Sequence, residues 1–271
     1  LLKEATIYRD APGMADIDSS LFDYCKTIKK EHTVVLSGEC ADEIFGGYPW
    51  FYREEMLRNG FFPWIHDAHG RASVFQSEKV RAKEGFEYIR DIYMQSVAAC
   101  PILESDTASM RQSRIATWLS THYFMTSLLE RKDRMSMASG VEVRVPFADH
   151  RILEYVYNVP WEIKFKGNVE KALLRAAMAE YLPEQFLKRK KSPYPKTHHP
   201  IYEEKVTKWL HEILSKPDCR LKELIHVQKL GAMLESDNVT WFGQLMSRPQ
   251  LIAWLIQLEI WFKYYDVSIC L

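Results

Sequence analysis

Three carboxylates fall within five positions of one short stretch, Ser37-Gly38-Glu39-Cys40-Ala41-Asp42-Glu43, which runs on into Ile44-Phe45-Gly46-Gly47-Tyr48. Glu39, Asp42 and Glu43 repel one another unless a cation or a proton is shared among them. One reading is therefore a magnesium-assisted phosphate site. The other is a helix with an acidic first turn, which the helix dipole favours. The residues alone leave both open. The element that would position the carboxylates is the apolar run Val34-Val35-Leu36, which predicts a short buried strand. Ser37-Gly38 turns the chain off that strand with its amides exposed. Ligands of α/β sheets sit just beyond the carboxyl ends of strands.

A second, basic stretch complements the first. Lys188-Arg189-Lys190-Lys191 is followed by Ser192-Pro193-Tyr194-Pro195-Lys196. Phosphates need cations and backbone N–H groups, and magnesium needs carboxylate oxygens. Lys190 and Lys191 supply the first requirement and Asp42 the second. A solvated charge run is the alternative, and the prolines hold the loop in a defined shape. Arg131, Asp133, Arg134, Glu142, Arg144 and Asp149 alternate with bulky residues and read as structural ion pairs beneath the surface. His66-Asp67-Ala68-His69 resembles a metal-binding pair but lacks further histidines on other elements. His198-His199 reads as two surface histidines, and Asp18-Ser19-Ser20 as the start of a helix.

The bulk composition excludes several classes. In 271 residues, 47% are hydrophobic and 13% aromatic, which suits a folded protein with a sizeable core. Lys+Arg and Asp+Glu are both 36, so no general nucleic-acid binder is expected. The five cysteines are scattered, without the spacing of a disulfide frame or zinc site, which fits a reducing cytoplasm. No signal peptide opens the chain, and Leu251 to Phe262 is too short for a membrane span of about 20 residues. That stretch predicts a buried helix. Leu1 is not Met, so the chain reads as a piece of a longer protein.

Helix dominates the expected elements. One is predicted from Asp16 or Asp18 to about Lys30, another over Glu84 to Ala99, and one long helix over Thr107 to Ser139 with Gly140 as its C-cap. Val141 to Phe147 is extended, since alternation and Pro146 both oppose helix. Asp149 caps a helix through Tyr157, and Val169 to Leu182 is another. Three more lie near Ile201–Leu214, Leu221–Leu234 and Leu251–Tyr265. Gly70 to Lys83 is a surface excursion. Partners for the Val34 strand are expected outside this chain or in its first few residues.

Three co-linear motifs resemble the synthetase domain of glutamine-hydrolysing asparagine synthetases. They are Ser37 through Tyr48, Asp133-Arg134-Met135-Ser136-Met137-Ala138-Ser139-Gly140-Val141-Glu142-Val143-Arg144-Val145-Pro146-Phe147, and Glu170-Lys171 through Lys191. The likeness is not traced through the last helices. It implies an α/β fold of the adenine-nucleotide alpha-hydrolase-like (PP-loop ATPase) type, cut so that this chain is mainly α-helical with few strands. Residues 1–271 would be the C-terminal part of the ATP-dependent domain. The implied reaction adenylates the side-chain carboxylate of aspartate with ATP, releases pyrophosphate, and lets ammonia from glutamine attack the acyl-adenylate. The resemblance assigns Ser37 and Gly38 to nucleotide contact, Glu39 to accepting a proton from ammonia, Asp42 to Mg2+ on the pyrophosphate, and Lys191 to the charge on the transferring phosphate.

The chain departs from the family pattern in two ways. The pyrophosphate loop Ser-Gly-Gly-x-Asp-Ser-Ser and the N-terminal glutaminase domain are absent, so these residues alone are expected not to make asparagine. Cys40 stands where many members carry glycine, and its small size predicts no loss of function. Two other readings compete. One is a different acyl-adenylate-forming amide ligase, such as a β-lactam synthetase-like enzyme. The other is a non-catalytic helical binding module, whose apolar surface would be covered by self-association, for example as a homodimer. Neither nucleic acid nor membrane is an expected partner.

Overall fold

The structure is a computed structural model that describes residues 1–58, 60–65, 74–75, 82–192, 194, 197, 199–235 and 247–268. The helices are α1 (Leu2–Arg9), α2 (Ala15–Ile28), α3 (Ala41–Phe45), α4 (Glu55–Arg58), α5 (Ala82–Ala99), α6 (Ala108–Leu119) and α7 (Met125–Met137). They continue as α8 (His150–Tyr157), α9 (Trp161–Lys164), α10 (Ala172–Ala177), α11 (Glu184–Leu187), α12 (Pro200–Ser215), α13 (Val227–Glu235) and α14 (Arg248–Tyr264). The strands are β1 (Val34–Leu36) and β2 (Glu142–Arg144). They pair in parallel, with Val34 opposite Glu142, Val35 opposite Val143 and Leu36 opposite Arg144. The ladder continues at both ends, where Glu142 N–H donates to Thr33 O and Ser37 N–H to Arg144 O.

Two expectations about β1 are corrected. Its partner lies within the chain, in the segment read as extended, whereas the first residues form α1. The strand is also not buried: Val34 is 41% and Leu36 75% exposed. Alternate side chains of a strand point to opposite faces, and among the described residues nothing packs over the face that carries these two. β1 and β2 still do their positional work, because their carboxyl ends fix where the Ser37-Gly38 turn leaves the sheet.

The main core lies at the C-terminal end of the sequence. Leu251, Ile252, Ala253, Leu255 and Ile256 of α14 are fully buried, as the apolar stretch predicts, against Val206, Leu210 and Ile213 of α12 and Leu221, Ile225 and Leu230. Burial of Gln250, of Glu259 and of the Gln257 side-chain oxygen on the same helix is matched by hydrogen bonds. Glu259 accepts from Leu221 N–H at 2.8 Å, and Gln257 accepts from Gly13 N–H at 3.2 Å. A separate cluster joins α1, α2 and α7 through Ala5, Leu21, Phe22, Cys25 and Met135.

Most expected helices are present with shifted bounds. Val169–Leu182 shrinks to α10, because Lys171 adopts a left-handed backbone with φ 56° and stays outside the helix. α2 begins at Ala15 with no side-chain cap; Asp18 instead accepts from Met14 N–H at 2.9 Å. The stretch from Thr107 to Ser139 is divided by a π-helical turn, Ser120–Phe124. Gly140, φ 73°, closes α7 and turns the chain into β2, and Asp149 caps α8 through Arg151 N–H. His66 to His69 and His198 lie outside the described residues, as does most of the excursion at 70–83. Among the described residues no helix is long and apolar enough to cross a membrane.

Candidate active site

β1 delivers the Ser37-Gly38 turn, and α3 follows within four residues, so the carboxylates of Asp42 and Glu43 stand just past the strand end. Cys40 is the N-cap of α3 with φ 73°. That left-handed conformation suits glycine, which explains a preference for glycine here better than size does. The Cys40 thiol is buried, and burial, reinforced by Glu43 and Glu39, pushes it up to about 12. Gly46 ends α3 at φ 76°. Gly47 serves Asp42 directly: a Cβ there would lie 1.8 Å from Asp42 Oδ1. The Gly-Gly pair thus lets the chain fold back against its own carboxylate.

Asp42 holds two lysines from distant positions. Lys171 Nζ lies 2.8 Å from its Oδ1 and Lys191 Nζ 3.1 Å from its Oδ2. Burial works to raise the Asp42 carboxyl, but Lys191 and Lys171 outweigh it and hold the group below the ordinary carboxylate value. Lys191 also stands 3.4 Å from the centre of the Tyr48 ring, a cation–π contact. Its ammonium is depressed by burial, against the opposing pull of Asp42. Lys191 Nζ is buried and pairs with Asp42 Oδ2, and since an ammonium carries three N–H groups, donors beyond that pair remain for an anion.

Tyr48 is itself fixed from below. Its hydroxyl donates to Glu43 Oε1 at 2.7 Å, and its ring stacks on Trp50 at 4.3 Å and meets Phe124 edge-on. Burial raises both Glu43 and Tyr48 above their ordinary values. Glu43 is therefore a buried support for Tyr48 and is not shared with Asp42 as a cation ligand, as the packed carboxylates had suggested.

Glu39 belongs to a second ion cluster. Its Oε1 lies 3.6 Å from both Arg131 Nη2 and Lys132 Nζ of α7, while its Oε2 is buried without a hydrogen-bond partner. Ser37 Oγ accepts from Glu39 N–H at 3.4 Å, and Gly38 faces open space on its Cβ side. The expected ion pairs of the 131–149 stretch form in part, but mostly at the surface: Arg134 binds Asp10 and Glu130, Arg144 binds Glu142, and Asp149 binds Arg151. Arg131 is the buried exception, and it faces Glu39.

Of the residues singled out from the sequence, the structure brings Asp42 and Lys191 together and sets Ser37, Gly38 and Glu39 at the same strand end. Lys190 is exposed and Lys188 pairs with Glu184. Lys171, Tyr48 and Lys132 were not singled out, and Arg131 was read as a structural ion pair with no link to Glu39. Lys171 carried one sequence signal, its place in the third motif. A cavity of about 390 Å³ is lined by Asp42, Lys171 and Lys191 together with Phe147, Leu174 and Met178.

The chain matches the asparagine synthase family over residues 1–263, so the likeness reaches through the last helices, beyond the three motifs that first carried it. It is 47% identical over 272 aligned positions to asparagine synthetase [glutamine-hydrolyzing] 3 of Bacillus subtilis (strain 168), which covers 99% of this chain and 44% of that protein. It is 28% identical to asparagine synthetase [glutamine-hydrolyzing] 1 of the same organism, covering 79% of this chain and 38% of that protein. The chain therefore spans less than half the length of the curated relatives it matches. With the match running through nearly every described element, the chain belongs to the asparagine synthase family.

Proposed function

We propose that this chain supplies the phosphate-facing side of an adenylating site, and that the full-length protein makes asparagine from aspartate, ATP and ammonia drawn from glutamine. The observation that carries this reading is the convergence of Lys171 and Lys191 on Asp42 at the end of β1. Two ammonium groups beside a strand end and an open glycine turn suit the oxygens of a polyphosphate. An aspartate side-chain oxygen attacks the α-phosphorus of ATP, the bond to the bridging oxygen breaks, and pyrophosphate leaves. Lys191, with donors beyond the one it gives Asp42, takes up charge on the transferring phosphoryl group. Ammonia then attacks the acyl carbon and AMP departs. Glu39 Oε2, buried and unpartnered, receives the proton that the attacking nitrogen sheds.

Magnesium fits this donor set in one way. Among the described residues no group of three His, Cys, Asp or Glu comes together. Mg2+ needs no such cage, since it binds through one or two carboxylates, water and substrate phosphates. Asp42 is the residue that would hold it, and when bound the ion supplies charge neutralisation to the departing pyrophosphate. Ser37 and Gly38 offer backbone contacts to the nucleotide.

The test uses the full-length protein and follows pyrophosphate release from ATP and aspartate. Lys191→Ala is expected to lower the rate by about 100-fold, the usual effect of losing one group aimed at developing charge, with the protein still folded by circular dichroism at the assay temperature. Undiminished release would overturn the reading. Release with β-amino acid substrates in place of aspartate would assign the chain to a different amide ligase.

A further inference from the structure

Lys171 and Lys191 repel each other, and Lys191 sits in a segment without helix or strand pairing. Something must hold that segment in place. Arg175, half-buried in α10, is the residue in contact with both sides. Its Nε donates to Glu170 O at 2.8 Å, its Nη1 to Leu187 O, and its Nη2 to Arg189 O at 2.9 Å. One guanidinium therefore ties the turn before Lys171 to the segment just before Lys191. Its backbone N–H also donates to Lys171 O at 3.0 Å, which places it one helical turn past that lysine. The backbone N–H bonds of the Lys188–Arg189 stretch, Lys188 N–H to Glu184 O and Arg189 N–H to Phe186 O, point back into α11. Within these contacts, only Arg175 joins the segment to α10.

We propose that Arg175 is the positioning residue for the two lysines. Arg175 lines the same cavity as Asp42, but its three guanidinium nitrogens all turn to backbone carbonyls; it fixes the spacing of Lys171 and Lys191 against their mutual repulsion. The inference rests on the reading of Lys191 given above. Arginine is suited to it because its planar fork carries five donors in fixed directions, whereas a lysine ammonium on a flexible stem cannot serve three carbonyls from two segments.

The experiment compares Arg175→Lys, Arg175→Gln, Lys191→Ala and the double variant Arg175→Lys/Lys191→Ala in the full-length protein. Arg175→Lys keeps the charge and most of the stem, and Arg175→Gln keeps one amide donor should the lysine variant fold poorly. Each single Arg175 variant is expected to lose about 100-fold in kcat, as for a catalytic group displaced by about 1 Å, with KM for ATP changed far less. In the double variant no further loss beyond Lys191→Ala is expected, since both changes remove the same placed ammonium. Competitive acetylation read by mass spectrometry is expected to show Lys191 more accessible in the Arg175 variants, with Lys263 unaltered. Full kcat in Arg175→Lys and Arg175→Gln while Lys191→Ala is impaired overturns this inference and leaves the adenylating site standing. Multiplied losses in the double variant overturn it too. Unimpaired Lys191→Ala overturns the underlying reading as well.

Discussion

Asp42 is the residue on which the site's charges meet, and its ionisation is tied to folding. Its folded value lies below the ordinary one because two lysines outweigh its burial. A depressed carboxylate contributes stability that is present above its unfolded value, about pH 3.9, and is lost as the pH falls through the folded value. Asp42→Asn removes that contribution and leaves two ammonium groups facing each other. Exposed pairs are worth up to about 1 kcal/mol and breaking a buried pair costs about 3–5 kcal/mol. The half-buried Asp42 pairs fall between, so Asp42→Asn should be about 2 kcal/mol less stable at pH 7 by denaturant titration. The gap should narrow towards pH 3. A gap that stays constant over that range would assign the loss to packing. The pairing of Asp42 with Lys191 was legible because residue type and motif context suffice to nominate an acid and a base. Lys171 was harder to see. Its position inside a helical pattern hides the left-handed backbone that aims it at Asp42, and nothing local in Val169 to Leu182 announces that kink. Tyr48 stood only as the last residue of the first motif; its role under Lys191 depends on a pairing 143 positions away in the sequence.

At the level of elements, periodicity found most helices and missed what divides them. Residues 107–139 read as one helix because a π turn inserts one residue without breaking the apolar stripe. In the structure Ser120, first residue of that turn, accepts from Trp50 Nε1 at 3.0 Å, and Phe124, its last, packs on Tyr48 and Trp50. The turn thus seats the aromatic group that carries Tyr48 beneath Lys191. α6, which leads into it, starts at Thr107, whose hydroxyl accepts from Met110 N–H at 3.2 Å. Just inside the helix, Arg114 Nε pairs with Asp106 at 2.8 Å, both buried. Thr107→Ala should cost about 1 kcal/mol, lowering the melting temperature by about 2–4 °C for a chain of this size. Thr107→Ser keeps the acceptor and should melt close to the parent. Equal losses for alanine and serine would show that the methyl group, rather than the cap, matters. The sheet was read least well, since three apolar residues suggest burial whichever face is covered, and the register with Glu142–Arg144 is a long-range property.

Across the whole molecule, stability also responds to a charge that the site chemistry does not use. Lys164, last residue of α9, is 1% exposed, and its ammonium donates to Val156 O at 3.3 Å. Burial, with the Arg114 cation adding to it, lowers this lysine to about 8. In the unfolded chain the same group titrates near about 10.4. A lowered lysine means that the fold disfavours the charged form, so the penalty is complete below about pH 8 and is gone above about pH 10.4. Over that window the parent should gain about 3 kcal/mol from this group. Lys164→Met has similar length and no charge, and Val156 O keeps a partner in Val159 N–H at 3.1 Å. Replacing a buried charge by an apolar group of similar volume is often neutral or stabilising. At pH 7, Lys164→Met should therefore match or exceed the parent in denaturant titrations. Taking the difference between the two proteins cancels every other titrating group. That difference should fall by about 3 kcal/mol between pH 7 and pH 10.5, and a flat difference would mean that Lys164 is solvated in the fold and carries no such penalty.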